Sequence, residues 1–382
     1  MRTVPTKGIE AILGIEPLHL HINAVALNTR YRTQDTVKPT WDGLPKGSKK
    51  ERCHIKKLDE MLESLLPGNY KKDSIKKARR NFDIKISLKD GITNVSNAIN
   101  IYTDGSKSKS GIGCGWLASK NDTILGEGKY KISSHASVFQ AELCAIAKAL
   151  EWVRDCKEKD IHIFTDSQAA LNALKSKFTK SETVRITWNT VRSLKGRSLV
   201  FHWIKGHNGH TGNEAADMLA KNGTNSNNLI DVAINTKFVK NKIVEHTQNL
   251  WQKEWPNCQL RHTKIFCKQV DINKTRRNYL LKLNKMQLKD LIEWITGHTL
   301  NKHLNKIGKT KNSTCSLCRN SEESPEHVIM DCPALETFRV TSQLFNEAFI
   351  QSNNSWRPGK EFFNETAIQA VLELIQHSQR RQ

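Results

Sequence analysis

Two hydrophobic periodicities alternate through the middle of the chain, and they predict a sheet flanked by helices. Apolar, often β-branched runs predict five strands, which lie in INIYTDGS, SGIGCGWLAS, ILGEGKYKI, DIHIFTD and RSLVFHWIKG. Helical spacing of apolar residues predicts four helices, which lie in Ser137 to Asp155, SQAALNALKS, SETVRITWNTVRSLKG and GNEAADMLAKNG. The order βββαβααβα predicts an α/β fold with a mixed five-stranded sheet. Short turns between the first three strands favour an antiparallel meander.

The flanking segments are more polar and less periodic. KGSKKERCHIKK and KKDSIKKARR are charge runs that predict a partly disordered linker; a nucleic-acid-binding arm and a solvated tether both remain open for it. The resulting domain prediction is a connector at 1–33, a basic linker at 34–97, the α/β domain at 98–223, a linker at 224–235 and a basic, mainly helical domain at 236–382.

Positive charge indicates a polyanionic partner. The chain has 382 residues and a formal net charge of +22, a balance typical of nucleic-acid-binding proteins. From Thr236 to Lys309 there are sixteen Lys or Arg against five Asp or Glu. Four aromatic residues lie among these cations, where packing in a helical core is a simpler interpretation than base stacking: Trp251, Trp255, Tyr279 and Trp294.

Cysteine usage and the N-terminal sequence bear on the compartment. The nine cysteines in 382 residues do not resemble a small, disulfide-dense secreted scaffold. The N-terminal residues MRTVPTKGIE contain no apolar signal-peptide core, and no run approaches the roughly 18 apolar residues that span a bilayer. We therefore expect an intracellular protein of the cytoplasm or nucleus, without a membrane partner.

Four acidic residues stand in strongly patterned segments: Asp104, Glu142, Asp166 and Asp217. Taken singly, each has an ordinary explanation as a turn, capping, solvated or ion-paired residue. Two of them end predicted strands and two lie in predicted helices, so they could converge on one point. Burying four carboxylates together would be very costly without a cation, and hard divalent cations require such an oxygen cage.

These motifs together resemble the type I ribonuclease H family. TDGS, the helical glutamate, TDSQAAL and WIKGHNGHTGNEAAD occur in the order of that family, whose ribonuclease H-like fold agrees with the predicted elements. The resemblance implies that the four carboxylates hold two Mg²⁺ ions, with Mn²⁺ as an alternative. It also implies that His207 assists proton transfer, with His210 as a competing candidate, and that three residues contact nucleic acid: Gly105, Ser106 and Asn213.

The implied function is an endoribonuclease that hydrolyses the RNA strand of RNA–DNA hybrids by a two-metal mechanism. Its products would carry 5′-phosphate and 3′-hydroxyl ends. The alternative is a catalytically inactive nucleic-acid-binding retrotransposon remnant. The chain departs from the family pattern at two places, where we expect weaker hybrid binding: Phe139 stands where many members have a polar residue, and only KSKFTKS separates the middle helices. We expect the basic C-terminal region to supply the missing contacts to the hybrid.

A cysteine–histidine cluster lies at residues 315–332. Its spacing is Cys315-x2-Cys318-x8-His327-x4-Cys332, which suits a closed, structural Zn²⁺ site; the alternative is a set of thiols without metal. This cluster, together with WITGHTLNKHLNKIG, resembles the C-terminal end of jockey-like non-LTR retrotransposon polyproteins. That resemblance implies that the chain is the C-terminal portion of such a polyprotein, with a reverse transcriptase acting in trans as a candidate partner.

Overall fold

The structure is a computed structural model that describes residues 4–33, 49–89, 91–206, 208–352, 355–358 and 364–379. The chain divides into two compact units, and each is described by itself. One unit comprises Met1–Met61 together with Ile243–Gln382, and the other comprises Leu62–Lys242. The N-terminal connector thus belongs to the same compact unit as the C-terminal helices.

The unit Leu62–Lys242 contains the sheet. Helices α1 Thr6–Leu13, α2 Leu18–Thr33 and α3 Lys49–Leu65 come before its strands. The elements that follow are β1 Ser74–Arg79, β2 Lys85–Ser87, β3 Ile99–Ser108, β4 Gly111–Lys120, β5 Thr123–Ile132, α4 Val138–Val153, β6 Asp160–Thr165, α5 Gln168–Lys175, β7 Phe178–Ser181, α6 Glu182–Ser193, β8 Ser198–Trp203, α7 Thr211–Gly223 and β9 Leu229–Ile230.

The main sheet is mixed, but it has seven strands and not the predicted five. Its order is β2-β8-β6-β3-β4-β5-β9. Strands β3, β4 and β5 form the predicted antiparallel meander, whereas β6, β8 and both edge strands pair in parallel. Asn121 and Asp122 both have positive φ between β4 and β5, as a type I′ hairpin turn requires. The five predicted strands form the centre of the sheet, and β2 and β9 extend its two edges.

The structure differs from the linker predictions for 34–97 and 224–235. Within the described residues, α3, β1 and β2 fall in the first segment and β9 in the second. Strand β1 pairs with β7 in a separate two-stranded ribbon. Asp73, just before β1, accepts hydrogen bonds from the Ser181 hydroxyl and from the Thr183 amide. These short elements are held by residues about a hundred positions away, and local periodicity carries no signal of such pairing.

The other unit is mainly helical. After α8 Thr236–Glu254 come α9 Arg261–Phe266, α10 Lys274–Leu280, α11 Lys285–Thr296, α12 Asn301–Lys306, α13 Glu336–Thr341, α14 Gln343–Ala348, β10 Phe349–Ser352, β11 Ser355–Pro358 and α15 Glu365–Gln379. A π-helical turn spans His327–Asp331.

Aromatic residues of this unit mostly pack in its core. Trp251 and Trp255 are each 3% exposed, and Tyr279 and Trp294 pack against the same cluster. The core interpretation of these four residues is therefore confirmed. None of the helices in the described segments is both long and apolar enough to cross a membrane.

Candidate active site

Asp104 and Glu142 are brought together by the packing of α4 on β3. Asp104 lies in the middle of β3, and Glu142 lies in the second turn of α4, whose N-terminus is fixed by a capping box between Ser137 and Gln140. Between them, Gly105 allows the close approach, because a Cβ there would come within 2.6 Å of the Glu142 amide nitrogen. Both carboxylates are nearly enclosed, at 8% and 6% exposure.

Asp166 completes a cluster of three carboxylates. It follows the last residue of β6 and precedes Ser167, the N-cap of α5. The indole N–H of Trp203 donates to its backbone carbonyl at 3.0 Å. Asp104, Glu142 and Asp166 each place one carboxylate oxygen so that the three oxygens lie within 4.8 Å of one another. The sequence prediction of convergence holds for these three residues.

Asp217 lies beside this cluster and not within it. It is carried by α7, which packs closely on β4 because Gly115 has no side chain; a Cβ at Gly115 would lie 2.5 Å from the Ala220 amide nitrogen. Its Oδ2 accepts a hydrogen bond of 2.6 Å from the ammonium of Lys221, one helical turn later. The fourth predicted carboxylate is therefore ion-paired, although its charge still acts on Asp104.

Crowding of the acids alters their protonation. Burial, and then the charges of Asp166 and Asp217, raises the pKa of Asp104 from 3.8 to about 6. Burial, and then the charges of Asp104 and Asp166, raises the pKa of Glu142 from 4.5 to about 9. Within the described residues, Oε2 of Glu142 is buried without a hydrogen-bond partner. A buried, unpartnered carboxylate oxygen among like charges fits a site built for a divalent cation.

The other predicted site residues differ in burial, and one of them is not described by the structure. His207 lies outside the described residues. Asn213 is 6% exposed in the first turn of α7, and its Oδ1 is buried without a partner in the described part of the chain. Gly105 is buried beneath α4 and Ser106 is half-buried. His210 occupies the N-cap position of α7 without a side-chain capping bond. Contacts of these residues with nucleic acid stay predictions.

Known proteins match the segment that carries this cluster. A family model described as RNase H matches residues 96–225. The chain is 34% identical over 138 residues to ribonuclease HI of Helicobacter pylori, which covers 32% of this chain and 90% of the relative. It is 30% identical over 138 residues to ribonuclease H of Francisella tularensis subsp. novicida, covering 32% of this chain and 89% of the relative. The chain belongs to the ribonuclease H family.

Solved structures of ribonucleases H are also similar to this segment. That of RNase H1 from the archaeon Halobacterium salinarum covers 34% of this chain and 98% of its own, with 26% identity and a TM-score of 0.29. That of LC11-RNase H1, solved with an RNA/DNA hybrid, covers 33% of this chain and 96% of its own, with 22% identity and a TM-score of 0.29. The family assignment rests on the sequence relatives, and it confirms the prediction of a ribonuclease H enzyme.

Sequence reasoning missed two residues that shape the ribonuclease H site. Gly115 lets α7 approach β4, yet its role depends on a helix about a hundred residues away. Lys221 follows Asp217 by four positions, and that spacing places two helical side chains on one face. The spacing of Lys221 from Asp217 is therefore a signal in the sequence. One lysine is hard to single out in a chain with 60 Lys or Arg residues.

The cysteine–histidine cluster lies in the other compact unit. Its four side chains each place a ligand atom within 4.8 Å of the others, with Cys315 Sγ 4.0 Å from Cys332 Sγ and Cys318 Sγ 3.2 Å from His327 Nε2. Cys315 and Cys332 are buried. The adjacent Cys332 lowers the pKa of the Cys315 thiol. Three sulfur donors and one imidazole at these separations fit Zn²⁺.

Proposed function

We propose that this ribonuclease H hydrolyses the RNA strand of RNA–DNA hybrids internally and leaves 5′-phosphate and 3′-hydroxyl ends. The observation that carries the proposal is the cluster of Asp104, Glu142 and Asp166, with three carboxylate oxygens within 4.8 Å, in a segment 34% identical to a ribonuclease HI. Selection of hybrids would rest on duplex shape and the 2′-hydroxyl and not on base sequence.

The four carboxylates would hold two Mg²⁺ ions, or Mn²⁺ in their place. Such a pair supplies activation of water and neutralisation of charge at the leaving oxygen. The protein holds Asp104 and Glu142 rigidly by burial and by the tight packing that Gly105 permits. Asp217 would turn from Lys221 toward the other three carboxylates when divalent cations are bound between them. His207 is proposed as the proton-transfer residue, on the strength of its motif.

A basic surface of the unit Leu62–Lys242 would supply contacts to the hybrid. We use the name basic ribbon for the paired strands β1 and β7, Ser74–Arg79 and Phe178–Ser181. The ribbon contains no acidic residue and carries exposed cations, extended by those of the preceding KSK segment: Lys76, Lys77, Arg79, Lys175, Lys177 and Lys180. Lys77 lies 4.2 Å from the ring centroid of Phe178, which is 46% exposed.

Hydrogen bonds connect the basic ribbon to the helix that carries Glu142. The ribbon ends at Ser181, and the Thr183 hydroxyl just beyond it accepts a bond of 3.2 Å from the side chain of Gln140. Gln140 precedes Glu142 by two residues on α4. We propose that a duplex bound at the carboxylates extends to the ribbon, whose cations would then contact its phosphates. On this proposal, β1 adds cations to those of the short KSKFTKS segment, and hybrid binding comes from the unit Leu62–Lys242 and not from the basic C-terminal region.

Cleavage of a labelled RNA–DNA hybrid in Mg²⁺ tests the proposal. Wild type should cut the RNA strand, Asp104→Asn should lose activity by several orders of magnitude, and Asp122→Asn, an exposed residue of the β4–β5 turn, should retain it. Product 5′ ends should accept a kinase label only after phosphatase treatment. Binding of the hybrid by wild type without cleavage would support the alternative, an inactive nucleic-acid-binding remnant.

For the cysteine–histidine cluster, the proposed role is a structural zinc site. Its four ligands leave no open position for chemistry. Zinc content should be one atom per chain in wild type and should fall in Cys315→Ser. Unchanged zinc in that variant would refute the ligand set.

The polyprotein context is proposed from the sequence resemblance alone. Transcripts that encode the chain should then also carry a reverse transcriptase reading frame upstream, and the reverse transcriptase would be the partner that produces hybrids. Sequencing of full-length transcripts without such a frame would remove this part of the proposal.

A further inference from the structure

The helical unit contains a cavity that the ribonuclease H function does not use. It has a volume of about 400 Å³ and is formed by the start of α9, the end of α11, α12 and the loop before His327. We call it the histidine pocket. Its lining includes three cationic residues and three histidines: Arg261, Lys302, Lys306, His262, His298 and His303.

Positive charge dominates the histidine pocket. Arg261 and Lys306 are exposed at its rim. Glu323 also lines it, but this carboxylate is 6% exposed and is held by the Asn301 amide at 2.7 Å and the Ser316 amide at 3.0 Å. Lys302 pairs with Glu322 at 2.7 Å. The Glu323 carboxylate already accepts hydrogen bonds from two backbone amides, and the rim of the pocket carries a net positive charge. This arrangement favours an anionic ligand.

Imidazole rings form one wall of the histidine pocket. The rings of His298 and His303 lie 4.2 Å apart between centroids, at 31°. Burial, and then the charge of Lys306, lowers the pKa of His303, which favours the neutral ring. His262 is oriented by Glu326, whose carboxylate lies 2.7 Å from its Nδ1. Flat imidazole rings offer stacking faces for an unstacked base.

A left-handed glycine shapes one wall of the pocket. Gly297 ends α11 with a φ of 78°, a conformation that strongly favours glycine. A Cβ at this position would also lie 3.0 Å from Pro325. The segment TGHTLNKH is thereby turned so that His298 and His303 share one cavity. Metal binding is not the function that the geometry supports, since these histidines are absent from the ligand clusters found among the described residues.

We propose that the histidine pocket binds one nucleotide of single-stranded nucleic acid, with the phosphate at Arg261 and Lys306 and the base against His298 and His303. A volume of about 400 Å³ exceeds what an isolated phosphate needs and falls within the range of small-ligand sites. The surplus of cations over residues 236–309 favours a polymer over a free nucleotide. This inference goes beyond the proposed hybrid cleavage and does not depend on it.

Binding of a fluorescein-labelled oligouridine of ten nucleotides to the full chain, without added Mg²⁺, tests the proposal. Arg261→Gln with Lys306→Gln should weaken binding about tenfold or more. The matched control is Lys309→Gln with Lys311→Gln, which removes the same charge from exposed lysines that do not line the pocket. Control binding should weaken less than about threefold. Equal weakening in both pairs would reduce the effect to general electrostatics and overturn the proposal.

His303→Ala tests the stacking part, and it should weaken binding about fivefold or more with an unchanged salt dependence. Photocrosslinking of an oligonucleotide that contains 4-thiouridine should label peptides within residues 259–263 or 296–306. Labelling confined to residues 62–242 would overturn the assignment. Thermal melts check that each variant is folded. Inorganic phosphate and uridine monophosphate serve as competitors of the labelled oligonucleotide. Displacement by either at micromolar concentration would indicate a site for a free anion or a mononucleotide and would overturn the polymer assignment.

Discussion

Burial and charge conflict at Glu142. Its carboxyl is 6% exposed, and burial with two neighbouring acids raises its pKa to about 9. A group whose folded-state pKa is raised contributes stability that is fully present below its unfolded pKa. That contribution is lost as the pH rises through the folded pKa. Without metal, the ribonuclease H unit should therefore lose stability between about pH 4.5 and pH 9.

Glu142→Gln removes this titration while preserving the shape of the side chain. Without divalent ions, the variant should melt a few degrees above wild type at pH 8, and the difference should vanish near pH 4. Saturating Mg²⁺ should reverse the order, because only wild type retains the full ligand set. Glu127→Gln, on the exposed part of β5, is the control. A metal-free variant that is less stable than wild type at pH 8 would contradict the account.

Lys221 is the resident cation at Asp217. Its ammonium lies 2.6 Å from Asp217 Oδ2, and Asp217 raises the pKa of Lys221. Because this charge must give way when a divalent ion binds, Lys221→Met should tighten Mn²⁺ binding about two- to fivefold, as expected for an exposed, screened pair. Lys221→Arg should leave affinity near wild type. Calorimetric titration measures both, and weaker binding by Lys221→Met would mean that Lys221 holds Asp217 in place for the metal.

Among the elements, the contact of α7 with β4 determines where Asp217 lies. Gly115→Ala would place a methyl group 2.5 Å from the Ala220 amide and 2.7 Å from the Leu219 Cβ. Backbone must shift to relieve this, at a cost of about 1–3 kcal/mol in unfolding free energy. The rate of hybrid cleavage should fall by more than the increase in the unfolded fraction accounts for, because a shift of α7 also moves Asp217. Gly68→Ala, with nothing within 4 Å of the added methyl, should change neither quantity.

The basic ribbon gives the second prediction at this scale. Lys77→Gln with Arg79→Gln should raise the Kd for an RNA–DNA hybrid about tenfold and reduce the slope of log Kd against log salt by about two. Lys157→Gln with Lys159→Gln removes equal charge at the opposite end of β6 from Asp166. If that control pair weakened binding as much as the ribbon pair, the ribbon would have no special role.

How far sequence could predict these elements depends on where their stabilising contacts lie. Long periodic segments such as Val138–Val153 and Ile99–Ser108 carry their own signal, and they bring Asp104 to Glu142 as expected. Strands of two to six residues, such as Leu229–Ile230 and Ser74–Arg79, are stabilised by partners distant in sequence. Their local hydrophobic pattern does not predict them. The same limit applies to the ribbon, which arises only when β1 pairs with β7.

At the scale of the whole molecule, each compact unit has its own hydrophobic core. The cysteine–histidine cluster, the proposed zinc site, belongs to the helical unit, where Cys315, Cys332 and Val328 are part of the buried core. Metal binding in such a site contributes directly to folding free energy. Removal of zinc should therefore destabilise the helical unit and leave the fold of the ribonuclease H unit intact.

Hydrogen exchange measured by mass spectrometry separates the two effects. A zinc-selective chelator, or Cys318→Ser, should increase exchange at least tenfold in peptides from residues 285–352. Peptides from residues 98–223 should keep their protection, because the sheet and its helices share no ligand with the cluster. Cys156→Ser, which alters a half-buried thiol outside the cluster, controls for loss of a cysteine. Uniform deprotection across both units would mean that the chain folds as a single cooperative body, and protection unchanged after zinc loss would make the site dispensable for folding.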